Sequence, residues 1–261
     1  MKKRLDLILM ERGIFESREK AKREIMVGNV FVNEQIITKA GTNFKDTDDL
    51  VIRVKEKLKY VSRGGLKLEK AIETWNLDFS DKIVLDIGAS TGGFTDCALQ
   101  NGARKVYSVD VGTNQLDWKL RNNTKVVSLE EMHIKNLTTS DLGNNKSDFI
   151  VVDVSFISLT KVIPYLENFL TEEGNVVLLI KPQFEVGKDK IGKNGIVTEE
   201  EYHDEAIKKI INFCKESSYK LLGIEDSPIR GARGNKEFLA LIKLTNNQLK
   251  EEEWKKIKNY I

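Results

Sequence analysis

The sequence predicts an α/β chain: a mostly parallel sheet of seven strands covered by helices, preceded by a small α+β unit. Three observations predict it. From residue 61 onward, apolar runs alternate with helical patterns, as expected for parallel strands buried on both faces. The first sixty residues give instead two short amphipathic helices and a hairpin. Charge divides at about the same place: residues 1–70 hold 17 Lys/Arg against 11 Asp/Glu, the remainder 25 against 29. That asymmetry directs the first part toward a polyanion.

The elements follow in order. Leu5, Leu7, Ile8, Leu9 and Met10 make an apolar helix that Gly13 stops. Ser17 suits an N-cap, although Lys20 stands where a capping box wants Glu or Gln. The second helix turns Ala21, Ile25 and Met26 to one face, carries Arg18, Lys20, Lys22 and Arg23, and ends at Gly28. "VFVNEQII" reads as a hairpin turning at Asn33–Glu34, and "LVIRV" (50–54) as a strand. The charged run 55–60 is a connector, which places the domains at 1–59 and 60–261.

In the larger part "LKLEKAIETW" is helical, with Leu66, Ala71 and Trp75 on one face. Strands are expected at "KIVLDIG", "KVYSVD", "TKVVSL", "DFIVVDVS", "NVVLLIK", "YKLLGIEDSPI" and "KEFLALIKL". Helices are expected at "GGFTDCALQNG", around Gln115–Leu120, at "LTKVIPYLENFL", at "TEEEYHDEAIKKIINFCKES" and in the tail "NNQLKEEEWKKIKNYI". The last two strands have no long helix between them, which makes them an antiparallel pair at one edge.

Composition narrows the setting. No apolar stretch reaches about 18 residues, so no membrane span is expected. The apolar run Leu7–Met10 is too short for a secretory signal. Cys97 and Cys214 lack metal-ligand spacing, and the pair does not make a disulfide framework; a reducing cytoplasm is the expected compartment. His133 and His203 do not make a metal site, and no metal is expected.

In parallel sheets ligands bind beyond the carboxyl ends of the strands. There stand Asp86 with Gly88, then Asp110, Asp153, Lys181, Glu225 and Asp226. The first strand runs into Asp86-Ile-Gly88-Ala-Ser90-Thr91-Gly92-Gly93-Phe94. A dinucleotide fingerprint would have glycine where Ser90 stands. An acid at this turn suits the sulfonium and amino group of S-adenosylmethionine, which has no pyrophosphate. Asp110 is placed for ribose hydroxyls, a device that nicotinamide enzymes share, so it does not discriminate alone.

Two resemblances add to this reading. Arg4-Leu5-Asp6 with Leu9, Gly13, then Ser17-Arg18 with Ala21-Lys22, then Ile25, Gly28, Val30, Val32 and Asn33 resembles the S-four RNA-binding domain over residues 3–54. "YVSRGGLKLEKA" (60–71), residues 85–116, "VVDVSFISL" (151–159), "LIKPQFEVGK" (179–188) and "SPIRGARGNKEFL" (227–239) resemble the TlyA, or hemolysin A, family, whose catalytic half is FtsJ-like. The resemblance implies a Rossmann-like class I methyltransferase that adds a methyl group to a ribose 2′-oxygen, cytidine by analogy, in ribosomal RNA or ribosomal subunits. It implies the catalytic set Lys67, Asp153, Lys181 and Glu237. It implies cofactor contacts from Asp86, Gly88, Ser90, Thr91, Gly92, Gly93, Phe94, Asp110 and Asp153, and RNA contacts from Arg4, Arg18, Lys22, Arg23 and Arg63. His133 stands where the family often has Asn.

A protonated ribose hydroxyl is a poor nucleophile, and a lysine set among charged neighbours can share its proton. Lys181 is the candidate, with Asp153 and Glu237 orienting the ammonium groups and Lys67 holding the ribose and its phosphate. Arg63, Arg230 and Arg233 in glycine-rich loops suit RNA phosphates or plain solvation; Phe156 and Phe184 suit a base, a cofactor ring or packing. The competing readings are an RNA-binding assembly factor without turnover, a membrane-lytic protein and a nicotinamide oxidoreductase.

Overall fold

Leu5, Ile8 and Leu9 are wholly buried and make the inner face of the first helix. The computed structural model describes residues 2–55 and 58–245. The chain divides into two units, Met1–Lys57 and Leu58–Ile261.

In the first unit β1 (Lys2–Arg4) runs into α1 (Leu5–Glu11), followed by α2 (Arg18–Met26), β2 (Val30–Val32), β3 (Gln35–Ile36), β4 (Asn43–Lys45) and β5 (Ile52–Val54). Strands β3, β2 and β5 form an antiparallel sheet, and β1 pairs with β4. The pairing of β1 with β4 joins two segments that sequence patterning leaves as coil. Ser17 caps α2, its side chain accepting from Lys20 N at 3.2 Å. The Lys20 ammonium turns back to Glu16 at 2.9 Å, so the charge at the capping-box position is used locally. Leu5, Ile8, Leu9, Ala21, Ile25, Val30, Val32 and Leu50 share one core. Each of its leucine, isoleucine and valine side chains contributes about 1.5–3 kcal/mol on burial.

The second unit contains α3 (Gly65–Trp75), β6 (Ile83–Ile87), α4 (Gly93–Gln100), β7 (Lys105–Val109), α5 (Trp118–Arg121), β8 (Val126–Leu129), β9 (Ser147–Val152), β10 (Leu170–Ile180), α6 (Pro182–Glu185), α7 (Glu200–Lys215), β11 (Tyr219–Asp226) and β12 (Phe238–Leu244). The sheet order is β11-β12-β10-β9-β6-β7-β8, and only β12 runs antiparallel to its neighbours. All five residues of β6 are buried, as a strand covered on both faces requires. One core, with Leu85, Val152 and Ile180, packs beneath α7; the other, with Val84, Val151 and Leu179, packs beneath α3 and α4.

One expected helix is replaced. "LTKVIPYLENFL" forms two short 3₁₀ turns, Leu159–Lys161 and Ile163–Asn168. Pro164 lacks the N–H an α-helix needs and crowds the preceding turn. The helix expected in the tail falls on residues 246–261, outside the described residues.

Candidate active site

The strand order reverses between β6 and β9: the chain leaves β6 toward β7 and β8, and later leaves β9 toward β10. At such a reversal the connections diverge and open a crevice at the carboxyl ends of the strands. A cavity of about 620 Å³ lies there. Gly88 follows β6 with φ +82°, and a Cβ on it would lie 2.5 Å from the Asp153 carbonyl oxygen. Only glycine permits that turn to press against the end of β9.

The charged residues arrive from four segments. Asp153 follows β9 and Lys181 follows β10. Because β12 is antiparallel to β10, with Ile180 opposite Phe238, Glu237 enters from the other direction at the same edge. Lys67 projects from the first turn of α3. Lys181 Nζ lies 2.5 Å from Asp153 Oδ1 and donates to Ser155 Oγ at 3.0 Å. Lys67 Nζ lies 2.6 Å from Glu237 Oε2 and 3.7 Å from Asp153 Oδ2. Lys67, Lys181 and Glu237 are buried, and all four residues line the cavity. Two ammonium groups and two carboxylates thus balance in a site largely shut from water, which sustains buried charge only through such pairing.

The glycine turn forms an adjoining wall. Asp86 is fully buried; its Oδ2 accepts from the Thr95 hydroxyl at 2.6 Å, and Thr95 in turn meets Ser108 Oγ at 2.7 Å. Asp86 Oδ1 is buried without a hydrogen-bond partner. Burial pushes this carboxyl up to about 7, with the charges of Asp153 and Asp110 adding to the shift against the Thr95 hydrogen bond. Gly88, Ser90, Thr91, Gly93 and Phe94 also line the cavity. Gly92 faces elsewhere: it turns with φ +94° beneath Leu116 and Leu120. Asp110 braces the turn, accepting Ser90 N at 2.7 Å and Gly112 N at 2.8 Å, and does not line the cavity. Glu225 and Asp226 lie at the end of the edge strand β11, where Asp226 pairs with Lys236 at 3.1 Å.

Several contributors went unassigned in the sequence. Ser155 and Gln183 line the cavity beside Lys181, and Asn235 beside Glu237. Their adjacency to the charged motif residues was the available signal. Phe156 stands at the rim with φ +64° and 91 % exposure, its ring 5.1 Å from that of Phe184. Arg233 also lines the cavity and donates to Asn194 O at 2.8 Å, whereas Arg63 is exposed and does not line it.

His133 caps a 3₁₀ turn, its Nδ1 accepting from Lys135 N at 3.1 Å, and His203 Nε2 lies 3.0 Å from Val197 O. In the first unit, Arg4 and Arg18 both donate to the buried Asp6 (Arg4 at 3.0 and 2.9 Å, Arg18 at 3.0 Å), while Lys22 is half-buried and Arg23 exposed. Among the described residues no helix is long and apolar enough to cross a membrane.

Comparison with known proteins agrees with both units. Residues 60–244 match the FtsJ-like methyltransferase family and residues 3–50 match the S4 domain. The chain is 48 % identical to a candidate rRNA methyltransferase, YqxC, of Bacillus subtilis, over 91 % of this chain and 84 % of that protein. It is 37 % identical to the 16S/23S rRNA (cytidine-2′-O)-methyltransferase TlyA of Mycobacterium tuberculosis, over 90 % of this chain and 87 % of the other. A solved structure described as a candidate hemolysin of Streptococcus thermophilus superposes with a TM-score of 0.73 at 43 % identity, covering 98 % of each chain. With a seven-stranded sheet, a charged cavity at its reversal point and matches spanning both units, the chain belongs to the FtsJ-like methyltransferase family and carries an S4 domain ahead of its methyltransferase domain.

Proposed function

We propose that the chain uses S-adenosylmethionine to methylate the ribose 2′-oxygen of cytidine in ribosomal RNA, acting in the cytoplasm on ribosomal RNA or ribosomal subunits. The observation that carries this reading is the convergence of Lys67, Asp153, Lys181 and Glu237 on one cavity beside the glycine turn. The relatives named as rRNA (cytidine-2′-O)-methyltransferases support the choice of nucleotide.

The glycine-turn wall fits the cofactor's chemistry. Asp86 Oδ1 lacks a donor where a cationic amine would supply one, and the turn carries an acid and Ser90 where a pyrophosphate site would want glycine. Asp86, Gly88, Ser90, Thr91, Gly93 and Phe94 would hold it, with Gly92 and Asp110 shaping the turn. When bound, S-adenosylmethionine supplies an electrophilic methyl carbon.

The chain's own residues prepare the nucleophile. Lys181 Nζ, between Asp153 Oδ1 and Ser155 Oγ, holds the ribose hydroxyl. It takes up the hydroxyl's proton while passing one of its own to Asp153. Lys67, fixed by Glu237, positions the ribose and its phosphate. Positioning supplies much of the rate, because the oxygen must approach in line. In the first unit Arg4, Arg18, Lys22 and Arg23, with Arg63 of the second unit, neutralise RNA phosphates without reading sequence.

The test is transfer of labelled methyl groups from S-adenosylmethionine to ribosomal RNA and intact subunits by the purified chain. Label at the 2′-oxygen of cytidine is expected. Label confined to protein, or to bases, would overturn the reading.

A further inference from the structure

Gln183 lines the cavity two residues beyond Lys181, on the single turn of α6. It is only 9 % exposed. Its Oε1 is sealed from water and accepts no hydrogen bond, and among the described residues its Nε2 has no partner within the protein. Buried polar groups are almost always paired, and an exception beside a reaction centre calls for a partner that comes with the substrate. The neighbouring amide does not share this state. Asn235 Oδ1 accepts from Val197 N at 3.0 Å and its Nδ2 donates to Gly195 O at 2.9 Å, so that side chain is committed to holding a loop.

We propose that Gln183 reads the base of the target nucleotide, an assignment that rests on the RNA-methyltransferase reading above. The pairing edge of cytosine carries a ring acceptor, N3, next to a 4-amino group. The end of the Gln183 amide that is not sealed complements it: Nε2–H donates to N3. Uracil presents N3–H and O4, the reverse pattern. It meets the amide only after the amide rotates, which puts the NH₂ group where Oε1 is now sealed. Orphaned buried N–H groups are rarer than under-satisfied carbonyls, so that rotation is disfavoured. Gln183 therefore selects cytidine over uridine, and its position next to Lys181 ties base identity to placement of the 2′-oxygen.

The test compares methyl transfer by the full chain to ribosomal RNA bearing the mapped target cytidine and to the same RNA with uridine at that position. The wild-type chain should prefer cytidine by roughly 10-fold or more, the cost of an amide donor left facing the N3–H donor of uracil. Gln183→Met, which keeps the bulk but not the amide, should lower transfer to cytidine by up to roughly 10-fold, the order of one lost hydrogen bond, and bring the cytidine-to-uridine ratio toward one. Gln183→Glu, which loses the donor, supplies the same ratio if the Met variant does not fold. An unchanged ratio in either folded variant, whatever the fall in rate, would overturn the assignment and leave Gln183 a packing role. Absence of any transfer to ribosomal RNA by the wild-type chain would overturn the underlying activity along with it.

Discussion

Lys181 and Glu237 stand at the same edge of the sheet, each one step beyond a paired rung, yet each takes its counter-ion from elsewhere. Lys181 pairs with Asp153 at 2.5 Å and Glu237 with Lys67 at 2.6 Å. Three strand ends and one helix are thereby tied through four side chains. The Asp153 carboxylate, 3.7 Å from Lys67 on its other oxygen, joins the two pairs.

Removal of Lys181 should affect chemistry more than assembly. Lys181→Ala is expected to lower turnover about 10²–10⁴-fold, the usual contribution of a positioned proton-transfer group. Cofactor affinity, measured by calorimetric titration, should remain. Undiminished turnover would exclude Lys181 from proton transfer.

Glu237 is sensitive to its neighbour Gly231. A Cβ at 231 would lie 1.8 Å from Glu237 Oε1, so the methyl group of alanine cannot fit unless the carboxylate moves off Lys67. Gly231→Ala should cost about 1–3 kcal/mol in a denaturant melt, the typical penalty for overpacking. Turnover should fall with it. Wild-type turnover in a folded Gly231→Ala chain would show that the Lys67–Glu237 pair is dispensable.

Asp86 gives a pH signature with two signs. Its carboxyl is pushed up to about 7, first by burial. A cationic amine favours the ionised form, so affinity for S-adenosylmethionine should rise between pH 6 and 8, and Asp86→Asn should flatten that rise. Stability of the unliganded chain runs the other way. A carboxyl whose folded value lies above the ordinary 3.8 destabilises progressively from about pH 4 to 7 and by a constant amount above. The Asp86→Asn variant should therefore gain in Tm relative to wild type as pH climbs through that window. A Tm difference independent of pH would refute the assignment.

Two kinds of cation are present in the first unit. Lys22→Ala with Arg23→Ala should reduce the salt dependence of RNA association by roughly two units of slope and barely change the melting temperature. Arg18→Ala should weaken RNA association and also cost stability, since it strips the buried Asp6 of one of two guanidinium partners. The Arg4 hydrogen bond, with Arg18, holds Asp6 below the usual carboxylate range. That contribution is present above about pH 4 and is lost as pH falls through the depressed value. An unchanged salt slope in the double variant would place the RNA contact elsewhere.

Much of this architecture was legible because it is written in local pattern. The apolar run Ile83–Leu85, the acid Asp86 near the end of β6 and the glycines after it identify a buried strand and its ligand-facing end. Ser17 marks the start of α2 by the hydrogen bond it makes. Pro164 sits inside the apolar spacing that predicts a helix at "LTKVIPYLENFL", and its missing N–H is what that spacing does not register. The pairing of β1 with β4 escaped notice because each has three residues and their partnership spans some forty positions. Gln183 carried no signal beyond its adjacency to Lys181, since burial without a partner is a property of three-dimensional surroundings, and the bond from Lys181 to Ser155 is likewise visible only in the fold. Arg4 and Arg18 were legible as cations, but their shared anchor on Asp6 was not.

The contact between Gly88 and the Asp153 backbone bears on how such enzymes can be recombined. The glycine loop proposed to hold the cofactor and the end of β9 that presents the acid touch with no space for even one extra carbon. A cradle grafted from a nucleotide-binding protein with a side chain at that place would shift the acid by a fraction of a bond length or more. In this fold the two parts are interchangeable only as a matched set.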